Sequence, residues 1–172
     1  MPIELPLVLD TDLLSDFAWI NRLDILVQLY DKEMRVMDEV MNELAKVPHL
    51  KQRVQKLIDD GFIHLVSLKA TDPEAQELAR LIDAGQLDSG EATCLAYLKF
   101  NYGALASNNL SDIHKACLEK NIDLVTTPDV FRAAWETGVL SEKEANKIWA
   151  DMLRKRKLPA ASLTEYISKN NN

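Results

Sequence analysis

Residues 5–11 read Leu5-Pro6-Leu7-Val8-Leu9-Asp10-Thr11, a short apolar run that ends in an aspartate. Such a run predicts a buried β-strand, and Asp10 then stands at its carboxyl end. In open α/β sheets, ligands bind outside the carboxyl ends of the strands. Asp10 is therefore a candidate ligand-binding residue, although Asp10, Thr11 or Asp12 could equally cap the following helix. The segment alone leaves both interpretations open.

The rest of the chain alternates short β-type runs with helical ones, which is typical of βαβ units and a parallel sheet. The predicted strands are residues 5–9, 34–37, 62–66, 103–106 and 122–125. The predicted helices are residues 12–30, 38–46, 49–60, 73–84, 89–101, 111–120, 127–137 and 141–157. We expect a three-layer α/β/α fold around a central parallel sheet of about five strands.

Composition limits the classes of protein that the chain can belong to. With 172 residues, 47% of them hydrophobic, it fits one domain over residues 1–172, with a core at 5–127 and C-terminal helices at 128–167. Its apolar runs are too short to cross a membrane, and residues 1–9 lack the cationic part of a secretion signal, so we expect a cytoplasmic protein.

Cys94 and Cys117 lack the spacing of a zinc site and are expected to be buried thiols. The net charge of -7 means that any contact with nucleic acid must be local.

Two glutamates lie beside apolar stripes of predicted helices. Glu43 completes an i, i+3, i+4, i+7 pattern in helix 38–46, and Glu91 begins such a pattern in helix 89–101. A carboxylate in such a position is partly desolvated, which is unfavourable unless it is paired or binds a metal. Asp88 has the capping-box spacing to Glu91, so Asp88 can cap the helix while Glu91 points inward. Glu43 could also turn to solvent beside its stripe.

A fourth polar segment, residues 106–112, follows the fourth predicted strand. Asn109 and Asp112 stand there at a strand's carboxyl end and a helix's amino end, where Asp112 could also simply initiate the helix. We expect one cleft that contains four acids and has two further residues at its border. The four acids are Asp10, Glu43, Glu91 and Asp112, and the border residues are Asp88 and Asn109.

Clustered carboxylates repel one another unless a divalent cation holds them together. Hard oxygen ligands suit Mg²⁺ or Mn²⁺, and such ions can orient water for attack on a phosphodiester. Without metal, at least one of these acids should have a raised pKa, and divalent cations should stabilise the protein. The three histidines are scattered and offer no alternative site.

These segments resemble the motifs of the PIN-domain family, in particular ribonucleases that include the toxins of toxin-antitoxin pairs. Leu9-Asp10-Thr11 is similar to the opening hydrophobic-Asp-Thr motif, and residues 40–44 are similar to the second motif, which carries a metal-site Glu. Residues 87–92 resemble a Gly-Glu-Ala variant of the third motif, and residues 107–113 resemble the Thr-Arg-Asn-x-x-Asp-Phe form of the fourth. The resemblance covers residues 8–125 and extends towards the C-terminal helices.

The resemblance implies a metal-dependent endoribonuclease that acts on single-stranded RNA. It implies catalytic roles for Asp10, Glu43, Glu91 and Asp112, and Mg²⁺ or Mn²⁺ ligands at these four residues together with Asp88 and Asn109. It also implies an antitoxin partner and a homodimer.

The chain departs from the family pattern in the fourth motif. Asn108 and Asn109 stand where many relatives have Arg and Asp, and Ile113 replaces Phe. If the site needs an acid at position 109, the protein is a weakened or inactive nuclease. A non-catalytic nucleic-acid-binding or interaction module is therefore the main alternative.

A second alternative is a haloacid-dehalogenase-like phosphohydrolase, because Asp10-Thr11-Asp12 matches an Asp-x-Asp nucleophile motif. Leu14 occupies a position where that motif requires Thr or Val, and no matching Lys and Asp follow downstream. This alternative is the weaker of the two.

Two further features, apart from the acidic residues, are candidates for contacts with RNA or with a partner protein. Lys32, Arg35 and the basic run 154–157 are candidates for holding RNA, although a charge run is usually a solvated surface. The last predicted helix carries an apolar stripe of Ile148, Trp149, Met152 and Leu153 surrounded by charge. This arrangement predicts an interface with a second copy or an antitoxin-like peptide, although such stripes more often pack on their own sheet.

Overall fold

A computed structural model describes residues 3–171 of the chain. Within this range, five strands form one parallel sheet in the order β3-β2-β1-β4-β5. The strands are β1 Leu7–Leu9, β2 Met34–Met37, β3 Ile63–Val66, β4 Ala104–Ala106 and β5 Leu124–Val125. The predicted α/β/α fold with a central parallel sheet is confirmed.

Ten helices flank the sheet over the described residues 3–171. Those between the strands are α1 Thr11–Trp19, α2 Leu23–Tyr30, α3 Asp38–Leu44, α4 Pro48–Asp59, α5 Pro73–Ala84, α6 Ser89–Leu98 and α7 Leu110–Lys120. After β5 follow α8 Thr127–Glu136, α9 Glu142–Met152 and α10 Leu163–Asn170. No helix among these residues is long and apolar enough to span a membrane.

The order of the strands reverses at the centre of the sheet. The chain passes from β1 to β2 and β3 on one side and then crosses back through α5 and α6 to β4 on the other. Leu9 pairs with Ala106, so the residues that follow the two strands emerge side by side. All residues of β1 and β4 are buried, which explains why both read as apolar runs without alternation.

A buried carboxylate joins the helices on the β4 side. Glu77 of α5 is 4% exposed and pairs with Arg80 at 2.6 Å, Lys99 at 2.7 Å and Lys120 at 3.0 Å. The hydrogen bonds from Arg80, Lys99 and Lys120 hold the pKa of Glu77 well below its usual range. This ion cluster connects α5, the end of α6 and the end of α7.

Several boundaries differ from prediction. The predicted helix 12–30 is two helices, because Asn21 adopts a φ of 56° and the backbone turns before Leu23. The cap of α8 is Thr126, whose N–H donates to Asp129 Oδ2 at 2.8 Å, and Thr127 is the first helical residue. The helix ends at Glu136, one residue before the predicted end, and Gly138 follows with a φ of 76°.

The C-terminal residues form a regular helix, and both cysteines are buried. Residues 163–170 form α10, capped by Ser162, so the last helix extends beyond residue 167, where the predicted C-terminal helices end; Asn172 lies outside the described residues. Cys94 and Cys117 are buried free thiols, as predicted.

The apolar stripe of α9 belongs to the protein's own core. Trp149 is 0% exposed, its Nε1 donates to the Ala160 carbonyl at 3.0 Å, and its ring lies 5.4 Å from Phe131 and 5.6 Å from Tyr166. Of the four stripe residues, only Leu153 is exposed, at 38%. The prediction that this stripe forms an interface is wrong, because the segment after α9 folds back over it.

We expect Trp149→Ala to lower the free energy of unfolding by about 3–5 kcal/mol, because it removes a large buried ring and its hydrogen bond. Leu153→Ala on the same helix is the matched control and should cost less than about 1 kcal/mol. Urea denaturation measures both. Equal costs for the two variants would contradict the buried position of Trp149.

Candidate active site

A polar cleft of about 400 Å³ opens at the carboxyl ends of β1 and β4, where the strand order reverses. Five of its nine lining residues are acids, and one is a cation. The lining consists of Asp10, Thr11, Asp12, Glu43, Asp88, Glu91, Asn108, Asn109 and Arg156. Ligands of open α/β folds bind at this kind of position.

Asp10 is placed by the sheet itself. Its backbone N–H donates to the Ala106 carbonyl at 2.9 Å, which continues the β1–β4 ladder. Its carboxylate accepts hydrogen bonds from the Thr11 N–H at 2.7 Å and the Ser107 hydroxyl at 2.9 Å, and the residue is 3% exposed. Asp10 therefore caps α1 and at the same time lines the cleft.

Three carboxyl groups of the cleft, those of Asp10, Asp12 and Glu91, have raised pKa values. Burial, together with the negative charge of Asp12, raises the pKa of Asp10 from 3.8 to about 8. Burial also raises the pKa of Asp12 and of Glu91. At neutral pH, without a cation in the cleft, Asp10 is therefore largely protonated.

Asp12 belongs to the cleft, although from the sequence we considered it only as a helix cap or as part of a haloacid-dehalogenase-like motif. Its Oδ2 accepts a hydrogen bond from the Asn108 N–H at 3.0 Å, and the Ser107 hydroxyl lies 3.3 Å from its Oδ1. Two acids in Asp10-Thr11-Asp12 could have suggested a shared site, since both leave the end of the same strand.

Glu43 enters the cleft from α3, which contacts both α1 and α6. Its carboxylate accepts hydrogen bonds from the Thr11 hydroxyl and from the Gly90 N–H, the latter at 2.9 Å. A Cβ atom at Gly90 would lie 2.7 Å from Glu43 Oε2. The glycine before Glu91 is therefore needed so that the backbone of α6 can approach the Glu43 carboxylate.

Asp88 and Glu91 form the predicted capping box at the start of α6. Asp88 Oδ1 accepts from the Glu91 N–H at 2.8 Å, and Glu91 Oε2 accepts from the Asp88 N–H at 3.2 Å. The other oxygen of Glu91 accepts from the side-chain amide of Asn109. Glu91 thus caps the helix and faces the cleft with the same carboxylate.

Asp112 stands next to the cleft and does not line it. It is exposed in the first turn of α7, and its Oδ2 accepts from the Asn109 amide at 2.9 Å. Of the four acids expected in one cleft, the structure brings Asp10, Glu43 and Glu91 together and links Asp112 to them through Asn109. Asp88 and Asn109, which we expected at the border of the cleft, are both among the residues that line it.

A buried network beside the cleft joins Arg156, from the basic run 154–157, to Asp16, which the sequence did not single out. Asp16, which is fully buried, accepts hydrogen bonds from Arg156 Nε and, at 3.2 Å, from the Asn108 amide. The same amide donates to Thr127 Oγ1 at 2.9 Å, and Asn108 Oδ1 accepts from the Thr127 N–H at 2.8 Å. Asn108 therefore ties α1 to the start of α8. One signal was available: Asp16 is an acid within the apolar pattern of α1.

The donor chemistry of the cleft suits a hard divalent cation, because carboxylate and amide oxygens are the ligands that Mg²⁺ and Mn²⁺ prefer. Within residues 3–171, however, no three His, Cys, Asp or Glu side chains lie together as a group that could hold a metal ion. Several oxygens of the cleft instead accept the hydrogen bonds described above. A bound ion must therefore compete with those hydrogen bonds.

Sequence comparison agrees with this geometry. The sequence profile of a family described as DUF3368: PIN domain matches residues 6–157. The chain belongs to the PIN-domain family. PIN domains are generally nucleases and typically use divalent metals, and the family suggests a nucleic-acid substrate. Searches of curated proteins and of solved structures give no significant match. Because the chain belongs to the PIN-domain family, we do not retain the haloacid-dehalogenase-like phosphohydrolase as an alternative.

We expect Gly90→Ala to displace the Glu43 carboxylate from the PIN-domain cleft, since the added Cβ would overlap it. Stabilisation by Mn²⁺ should fall, while the metal-free melting temperature changes little because Glu43 can turn to solvent. Glu43→Ala, which removes the carboxylate itself, is the reference variant and should lower Mn²⁺ stabilisation by a similar amount. Unchanged Mn²⁺ stabilisation in Gly90→Ala would contradict a role for Glu43 in cation binding.

We expect the metal-free protein to become less stable as pH rises from about 6 to about 8. In this range the folded protein retains a proton on Asp10 that the unfolded chain has released, because the pKa is about 8 in the fold and 3.8 ordinarily. Asp10→Asn should remove this contribution, whose slope is at most about 1.4 kcal/mol per pH unit. Melting curves with a chelator across this range test the prediction, and an equal slope in both proteins would contradict it.

Proposed function

We propose that the protein is a divalent-metal-dependent endoribonuclease that cleaves single-stranded RNA. The observation that carries this proposal is the convergence of five acids from α1, α3 and α6 in one cleft at the strand-order reversal, with the pKa of Asp10 raised to about 8. Repulsion among the five carboxylates is relieved when a cation binds between them, so such a site favours the cation-bound state. The family supports a nucleic-acid substrate.

The residues of the cleft divide into cation ligands and substrate contacts in this proposal. Asp10, Glu43 and Glu91 would hold Mg²⁺ or Mn²⁺, with Asp12 and Asp88 beside them. A bound ion supplies an oriented water and charge neutralisation for phosphodiester hydrolysis. Asn109 would fix Glu91 and Asp112 relative to each other through its two hydrogen bonds.

Arg156 is the single cation among the nine cleft residues. Its Nε donates to the buried Asp16, which orients the guanidinium at the border of the cleft. A guanidinium held in this way can bind a phosphate through its remaining N–H groups. Within the basic run 154–157, this proposal therefore assigns the phosphate contact to Arg156.

The non-catalytic alternative is favoured by one observation. The amide nitrogen of Asn109 donates to Glu91 and to Asp112, at a position where the family resemblance implies an acidic ligand. In this second candidate function, the cleft binds nucleic acid or a protein segment without cleaving it.

We expect the protein to cleave a fluorescent single-stranded oligoribonucleotide with Mg²⁺ or Mn²⁺, and Asp10→Asn to lower the rate at least about 100-fold. Asp83→Asn, an exposed aspartate of α5, is the matched control and should retain the parent rate. Gel analysis of the products measures both.

The same assay separates the two candidate functions. Cleavage by Asn109→Asp alongside an inactive parent would support the non-catalytic alternative. An inactive parent whose melting temperature does not respond to Mg²⁺ or Mn²⁺ would count against both the metal site and the nuclease. The toxin role, the antitoxin partner and the homodimer stay predictions from the family resemblance.

A further inference from the structure

A second groove, of about 430 Å³, lies beside the acidic cleft, between the start of α7, the start of α8 and α10. We call it the apolar groove. The apolar side chains that line it include Leu110, Pro128, Pro159 and Tyr166. Its volume lies within the range of small-ligand sites, so it can hold a group of limited size.

The apolar groove adjoins the cleft. Asn108 and Arg156 line both cavities, so a chain that passes Arg156 can reach from one into the other. Lys157, which is exposed, stands on the groove's border next to Arg156. The occupant therefore combines an apolar part with negative charge at its edge.

The walls of the groove suit a flat ring. Leu110 is 50% exposed although it directly follows Asn109 of the cleft. The Tyr166 ring packs against the buried Trp149 at 5.6 Å between centroids, which fixes it in place. Unpaired bases stack on such fixed aromatic and apolar side chains, while nearby cations hold the backbone.

We propose that the apolar groove binds one unpaired base of the RNA, that of a nucleotide adjoining the phosphate held in the cleft. This inference rests on the proposed nuclease function and adds a position at which the enzyme contacts its substrate's base. The shared Arg156 and the exposed Lys157 favour a polyanion over a peptide of a partner protein, which the experiment treats as the competing occupant.

The test is a set of single-stranded oligoribonucleotides, one intact and the others carrying a single abasic nucleotide at successive positions. Single-turnover cleavage with Mn²⁺ should slow about tenfold for one abasic position next to the cleaved bond, which is the size expected for one lost stacking contact. Leu110→Ser should slow cleavage of the intact oligonucleotide by a similar factor and should lose the sensitivity to that abasic position. Leu118→Ser changes a leucine of the same helix that is 69% exposed and lies outside the groove, and it should behave like the parent.

The possible failures are distinguishable. If the parent cleaves RNA but no abasic position changes the cleavage rate, the proposed base site is wrong. The same holds if Leu110→Ser keeps the parent's dependence on the abasic position. In either case a protein segment becomes the better candidate for the occupant of the groove. If the parent cleaves no RNA under any metal condition, the proposed function fails and this inference fails with it. Since Leu110 is half exposed, Leu110→Ser should retain the parent's melting temperature, which separates a lost contact from a lost fold.

Discussion

The backbone hydrogen bond from Asp10 to the Ala106 carbonyl extends the pairing of β1 and β4 one residue beyond the strands. Because of it, the segment that follows Leu9 and the segment that follows Ala106 leave the sheet side by side. Asp10 then meets the Ser107 hydroxyl, and Asp12 meets the Asn108 N–H. The first helix and the loop before α7 are thereby joined at the place where the strand order reverses. The other acids of the cleft are brought to this junction by α3 and α6.

The protein places these acids where backbone donors partly offset the cost of burial. Asp10 caps α1, and Asp88 and Glu91 cap α6, so three carboxylates stand at helix N-termini, where N–H groups and the helix dipole favour negative charge. Glu43 receives the N–H of Gly90 in the same way. The compensation is incomplete, since the pKa of Asp10 is still raised to about 8. A site whose acids remain desolvated and in part repel one another binds cations more favourably than one whose acids are fully paired.

The parts of the site that could be predicted from sequence are those with local signals. A strand followed by an acid identified Asp10, and capping-box spacing identified Asp88 with Glu91, because each pattern lies within a few residues. The pairing of Asp16 with Arg156 has a sequence separation of 140 residues and no local signature. The error at Trp149 has a similar origin. Periodicity shows that a helix has an apolar face, but the turn that brings Ala160 and Tyr166 over that face lies further along the chain.

The two asparagines of the fourth motif have different physical roles. Asn108 donates through its amide nitrogen to Asp16 and Thr127 and accepts through its oxygen from the Thr127 N–H. Neither an arginine, which cannot accept, nor a carboxylate, which cannot donate, can make that set of bonds. Asn108 therefore provides a hydrogen-bond donor to the buried Asp16 and has a structural role.

Asn109 places a neutral amide between two carboxylates. Its amide holds Glu91 and Asp112 together without adding a negative charge to a cleft that already contains five acids. A carboxylate at this position would give a cation one more oxygen ligand, but it would also repel both neighbours whenever the cation is absent. The amide therefore favours the stability of the metal-free protein, and its side-chain oxygen, which accepts from the Ser111 hydroxyl at 3.0 Å, adds no charge to the site.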